Sequence, residues 1–261
     1  MQIPQSLQVM PDIARQIIDT FADEWITTQQ VVKIVNQDPA ISARLVGLAN
    51  SAYFSVADEI TTVEGAITRV LGLDLTRGVA IGMSCKTQLD DVDCQGFDTK
   101  RFWTSALTIS QATSSIQRNA DRSQAALCGM LWHVGMLLAV AVDPKRCAQI
   151  FTQTQNPPFQ EIEQAFGQSV YELGSTLLQA WQLPPTIFET HQHLHAAQRT
   201  SSFPEHDTAA AIWLARALAK QDSGELMALP DIRKQLESRA LVESVEATDV
   251  QALRQVMSAS L

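Results

Sequence analysis

Apolar residues recur along this chain at spacings of three and four, and strand-like alternating runs bounded by turn signals are scarce. The pattern predicts an all-α protein. Ile41, Leu45 and Leu48 fall at i, i+4 and i+7 behind Asp38, a good N-cap, and Pro39, whose missing N–H is harmless at the first helical position. Thr27 with Gln30, and Thr61 with Glu64, each predict a capping box. Behind the second, Val63, Ala66, Ile67, Val70 and Leu71 form one stripe, and Gly72 predicts its stop. Asp74 predicts the cap of a helix running through Met83 toward Leu89. A long helix with Phe102, Ala106, Ile109 and Ile116 on one side follows, then a shorter one after Pro144 and a break at Asn156-Pro157-Pro158. Ser169 predicts the cap of a helix with Val170, Leu173, Leu177 and Trp181 facing inward, and Pro184-Pro185 starts another. Residues 205–220 and two segments after Pro230 complete the set, with the final 20 or so residues expected to form a loosely packed appendage.

One stretch, AALCGMLWHVGMLLAVAV at 125–142, is just long and apolar enough to be read as a membrane span. It contains His133 and two glycines, lacks flanking basic clusters and stops at Asp143-Pro144. A helix apolar on all sides also suits the core of a large helical protein, so a buried central helix is expected and no membrane partner. The polar, glycine-containing run LDDVDCQGFD at 89–98 predicts the junction of two lobes, 1–95 and 96–261.

Composition narrows the partners more than the fold. With 261 residues, 46% hydrophobic and 18% charged, the chain has the make-up of an ordinary globular protein. The net charge of -9, with no Lys/Arg run, argues against a phosphate-neutralising nucleic-acid surface. Cys85, Cys94, Cys128 and Cys147 lack both the CxxC spacing of a zinc site and the density of a disulfide scaffold, and the N-terminal MQIPQSLQVMPDIARQ lacks a secretory pattern. Free thiols in a reducing cytoplasm are expected. No nucleophile elbow, phosphate-binding glycine loop or dinucleotide fingerprint is present.

DPAISARLVGLANSAYF at 38–54, Ile60, TTVEGAITRVLG at 61–72, Phe102-Trp103, GMLWHVGML at 129–137 and FGQSVYELGSTLLQAWQLPPTIFETHQHLH at 166–195 occur in that order. Taken together, this ordered set resembles the HDOD family, the HD-related output domains of bacterial signalling proteins. The resemblance runs from about residue 11 to about 220 and implies a two-lobed helical fold with an HD-like C-terminal lobe. The related HD phosphohydrolases hold a divalent metal with a His, a His-Asp pair and a later Asp. In the family's frames, Ser105 stands at the first His, Trp132 and His133 at the His-Asp pair, and Arg216 at the last Asp. In a further frame that ends in a His-His pair, Leu194 takes the first place and His195 the second. Chemistry speaks against a metal centre in this set: an indole has no lone pair to give, a serine hydroxyl is a poor ligand, and Arg216 carries a fixed positive charge.

The resemblance therefore implies a non-catalytic signal-transduction module, with no cofactor and no metal, whose degenerate pocket is lined by Ser105, Trp132, His133, His195 and Arg216. Its expected partner is a protein of a signalling pathway or a small signalling ligand, a nucleotide or anion included, with Arg216 and His133 holding an anion where the metal stood. The alternative is a divergent metal-dependent phosphohydrolase built on His133, His191 and His195. A nucleic-acid-binding regulator is disfavoured by the acidic balance. Three features are read as structural: His206-Asp207 as a helix start, the HQHLH run at 191–195 as a surface or helix-end cluster, and Asn50-Ser51 as a tie between a helix end and a neighbouring loop.

Overall fold

The structure, a computed structural model, describes residues 2–4, 7, 11–21, 25–50, 58–86, 94–117, 122–153, 158–219, 230–239 and 241–246. Every regular element among the described residues is helical, and none is a strand. Ser51, most of the expected junction (89–93), Asn156-Pro157 and the tail from 247 lie outside the described residues. The chain divides into two compact units, residues 10–88 and residues 1–9 with 89–261.

The smaller unit comprises α1 (Asp12–Phe21), α2 (Thr28–Val35), α3 (Pro39–Ala49), α4 (Val63–Ala66) and α5 (Gly72–Lys86). The Thr27–Gln30 capping box forms, and the Asp38 carboxylate accepts from the Ala40 and Ile41 amides at 2.8 and 3.2 Å. On α3 the buried stripe is Ile41, Leu45 and Ala49, with Leu48 at its half-buried margin. The second cap falls one residue later than expected: Thr62 accepts from the Gly65 amide, because its hydroxyl is the one placed over the open first turn. From Ile67 to Leu71 the backbone widens into a π-helical turn, and Gly72 at φ 71° redirects it into α5. Asp74, expected ahead of this helix, lies within α5. The Asn50 carboxamide donates to the Ile60 carbonyl at 2.6 Å and accepts from the Ile60 amide at 2.8 Å. It closes the end of α3 on the chain entering α4, the structural role expected of it.

The larger unit comprises α6 (Thr99–Ile116), α7 (Arg122–Leu131), α8 (Gly135–Val142), α9 (Pro144–Gln153), α10 (Phe159–Phe166), α11 (Val170–Ala180), α12 (Pro185–Thr200), α13 (Asp207–Leu218), α14 (Pro230–Ser238) and α15 (Val242–Glu246). Helix α6 packs on α7 and α13, and α11 packs on α8 and α12. The apolar stretch 125–142 is buried almost throughout, as expected, but it is two helices and not one. The chain turns at Trp132-His133-Val134 through tight bonds from the Val134 amide to the Leu131 carbonyl and from Met136 to His133, at 3.0 and 2.9 Å. Gly135 then lets α8 meet α11 backbone to backbone: a Cβ there would lie 1.9 Å from the Val170 carbonyl oxygen. At the base of α11 the Trp181 indole donates to the Leu7 carbonyl at 2.8 Å, tying the first residues to this unit. Cys94, Cys128 and Cys147 are buried thiols outside any disulfide, and burial, helped by Cys94 and Asp143, pushes the Cys147 thiol up to about 12. Such a thiol is inert at neutral pH.

Candidate functional site

The tight turn between α7 and α8 sets Trp132 and His133 among side chains from four helices. The His133 imidazole is sandwiched between Phe102 of α6 and its own neighbour Trp132, with centroids 4.0 and 4.3 Å away and planes within 8° and 11° of parallel. Over the Trp132 ring, at 4.4 Å, lies the guanidinium of Arg216 from α13. The same guanidinium is 5.2 Å from the Phe159 ring centre and 5.9 Å from that of Tyr171, and it donates to the Tyr171 hydroxyl. Arginine sits well on aromatic faces because the ring quadrupole attracts the cation, worth roughly 0.5–2 kcal/mol. Ser105, one turn along α6 from Phe102, is buried as well.

The charge in this column is confined to Arg216. Burial drives the His133 pKa well below the ordinary imidazole value, with the positive charge of Arg216 and then His191 adding to the effect; the Phe102 backbone pulls weakly the other way. Burial likewise pushes the Tyr171 phenol up, against the pull of Arg216, so the group that accepts from the arginine is neutral.

The second set of polar groups belongs to α11 and α12. His191 is wholly buried, with Nε2 3.0 Å from the Leu131 carbonyl and Nδ1 3.3 Å from the Ile187 carbonyl. The shorter contact assigns the proton to Nε2, so His191 caps the C-terminal end of α7 just before the turn that carries Trp132. Burial lowers its pKa. Gly174 leaves the room it needs, since a Cβ there would lie 2.7 Å from His191 Cδ2. His195 is engaged at the start of α11, where Ser169 and Glu172 form a reciprocal capping box. Its Nδ1 is 2.8 Å from the Ser169 hydroxyl and its Nε2 is 3.6 Å from a Glu172 oxygen. Gln168, Tyr171, Glu172, Ser175, Gln192 and His195 line a cavity of about 340 Å³ along this groove.

The expected site residues thus separate. Trp132, His133 and Arg216 come together in the column, whereas His195 faces the α11–α12 groove, with Tyr171 common to both. The expectation of a surface or helix-end HQHLH cluster is corrected at His191: facing the core from the middle of α12, its ring is an internal strut. His193 stacks on His206, which opens α13 next to Asp207 as expected of a helix start. The residues that sequence reasoning passed over are Phe102 as a stacking face, Phe159 and Tyr171. One signal could have found them: an arginine within the apolar run AAAIWLARALA needs something to sit on.

The family model of the HDOD domain matches residues 7–197, most of the chain. The chain belongs to the HDOD family. It superposes on an HDOD domain protein of unknown function from Geobacter sulfurreducens with a TM-score of 0.71 at 21% identity, over 98% of this chain and 93% of that one. A protein of Shewanella amazonensis SB2B, provisionally named a phosphohydrolase, gives a TM-score of 0.66 at 22% identity, over 100% and 94% of the two chains. A protein of Marinobacter aquaeolei VT8, provisionally named a signal transduction protein, gives 0.70 at 20% identity, over 98% of this chain and 58% of that one. An uncharacterized protein of Treponema pallidum (strain Nichols) is 24% identical over 205 residues, 74% of this chain and 37% of that one. This chain therefore spans little more than a third of that relative's length. At these identities the likenesses establish an HD-like, all-helical HDOD fold.

Proposed function

We propose that this HDOD chain works as a binding module in a bacterial signalling pathway, without hydrolysing anything. The observation that carries this reading is Arg216, a permanent cation lying on the indole of Trp132; the family resemblance sets these two residues where HD enzymes hold their metal. The donor set does not fit a divalent ion. Trp132 offers no lone pair and Arg216 would repel the ion, which leaves His133 as the one nitrogen donor of the three. Among the described residues no group of three His, Cys, Asp or Glu side chains is gathered as a metal would need. The histidines on which a divergent phosphohydrolase would draw point to different tasks: His191 to the Leu131 carbonyl, His195 to Ser169 and Glu172, and His133 into the aromatic stack. This supports reading the old centre as a degenerate pocket and the chain as a regulatory component that engages a protein partner or a small signalling molecule.

Elemental analysis of untagged protein, purified without chelator, tests the reading together with phosphodiesterase and phosphomonoesterase assays in added Mn²⁺ or Mg²⁺. Substoichiometric metal and no turnover are expected. About one equivalent of a transition metal per chain, lost together with hydrolysis in His133→Ala, would overturn it.

A further inference from the structure

We propose that Arg216, Trp132 and His133 form a binding site for the phosphate group of a small molecule, either free phosphate or a nucleotide; the inference deepens the binding-module reading and rests on it. Arg216 is only partly buried, and among the described residues no carboxylate pairs with it. Among the described residues its one hydrogen bond goes to a neutral phenol, and its other four N–H groups find no acceptor there. The chain as a whole is acidic, at -9, yet no carboxylate among the described residues balances this cation.

The second observation is independent of the arginine. Neither ring nitrogen of His133, 4% exposed, has a hydrogen-bond partner, and the Trp132 Nε1, in a residue 2% exposed, has none either. Roughly 90% or more of buried polar atoms in folded proteins are paired, so three unpaired atoms on two adjacent residues beside an uncompensated cation mark a place built to receive something. Their chemistry says what. Guanidinium and indole supply donors only, which calls for an acceptor-rich anion, and a tetrahedral oxyanion uses more of them than a planar carboxylate does. Neutral His133 brings one donor and one lone pair. A phosphate monoester, whose second pKa is about 6, and inorganic phosphate, which loses its second proton nearer neutrality, each carry that proton part of the time and can serve both. Sulfate, always deprotonated there, cannot.

The test is a titration of the full chain with inorganic phosphate, AMP and sulfate at constant ionic strength. It is followed through the Trp132 indole N–H resonance, assigned by its loss in Trp132→Phe, and through the thermal midpoint. A saturable shift of that resonance is expected with phosphate or AMP, at least tenfold weaker with sulfate, at least tenfold weaker in Arg216→Gln and intermediate in Arg216→Lys. Tighter binding of AMP than of phosphate would assign the site to a nucleotide, and equal binding to phosphate itself. No saturable shift in the wild-type protein, or equal affinity in a folded Arg216→Gln protein, would overturn the proposal. If Arg216→Gln fails to fold, the wild-type titration and Arg216→Lys decide alone. A null titration on metal-free, inactive protein sinks only the phosphate site, whereas a stoichiometric metal sinks the binding-module reading with it.

Discussion

Lowering the pH from 7.5 to 5.5 should remove up to about 2.8 kcal/mol of folding stability through His133 and His191 alone. Both rings are held neutral in the fold, chiefly by burial, and in the unfolded chain both titrate near the ordinary value of about 6.5. Below that value the unfolded chain binds protons that the folded chain refuses. Stability is therefore full above about pH 6.5 and falls as the pH drops toward each folded pKa, by up to about 1.4 kcal/mol per ring per pH unit. Ordinary carboxylates near 4 contribute little in this window. Against a typical total of about 5–15 kcal/mol the loss is large enough to read from urea midpoints at the two pH values. The diagnostic variant is His133→Phe, which keeps a flat ring between Phe102 and Trp132 and removes the titration. It should recover about half of the loss, up to roughly 1.4 kcal/mol. His206, also lowered by burial but half exposed, adds a smaller share that persists in that variant. A wild-type change under about 0.5 kcal/mol, or an unaltered pH dependence in His133→Phe, would refute the claim that the site holds a neutral, enclosed imidazole.

Gly135→Ala should destabilise by about 3 kcal/mol or more, at or beyond the top of the usual overpacking range. The new methyl meets the Val170 carbonyl and the Gly174 nitrogen, backbone atoms that cannot rotate away, and a loss under about 1 kcal/mol would refute the close approach of α8 and α11. Ser169→Ala removes the hydroxyl that accepts from the Glu172 amide and meets His195, and should cost about 0.5–2 kcal/mol in urea unfolding; no change would refute the capping role. Asn50→Ala leaves the Ile60 amide and carbonyl without their shared partner and should cost about 1–3 kcal/mol, with local hydrogen exchange rising at Ile60; unchanged exchange there would argue against the tie. Excess EDTA should leave the thermal midpoint where it is. A bound metal at 100 times its Kd would contribute about 2.7 kcal/mol, so a fall of several degrees would refute the metal-free reading.

How much of this was legible in advance depended on whether a helix has two kinds of face. Where it does, as in α3, α6 and α11, the 3.6-residue rhythm identified the buried side: Phe102, Ala106, Ile109 and Ile116, and Val170, Leu173 and Leu177, are all buried. Residues 125–142 have no polar face, so their periodicity carried no information about where the helix turns. The break at Trp132 depends on Gly135 meeting α11, a tertiary contact that no local rule encodes. The cap before α4 slipped by one residue because Thr61 and Thr62 are chemically alike, and only the backbone path selects between their hydroxyls. At the site, the register of the resemblance brought Trp132, His133 and Arg216 together but misplaced His195 and overlooked Phe159 and Tyr171. Aromatic residues at core spacing look the same whether they fill space or carry a cation.

That ambiguity points to how the proposed pocket departs from its metal-holding relatives. A metal centre needs several lone pairs converging on an ion that comes and goes, and each ligand must be deprotonated to bind it. Here the cation belongs to the chain, and its partners are ring faces of Trp132, Phe159 and Tyr171, which need no deprotonation and offer no lone pair. Under the proposed reading the site keeps a positive charge at its centre while losing the polarised, metal-bound water that hydrolysis requires. Aromatic faces hold a guanidinium without neutralising it, so the charge remains available to an incoming anion in a way that a buried carboxylate pair would forbid. A ligand drawn to Arg216 would press on Trp132, and through Trp132 on the turn that joins α7 to α8 and is closed from α12 by His191. Occupancy of the pocket would thereby reach four helices of the larger unit through side chains already in contact.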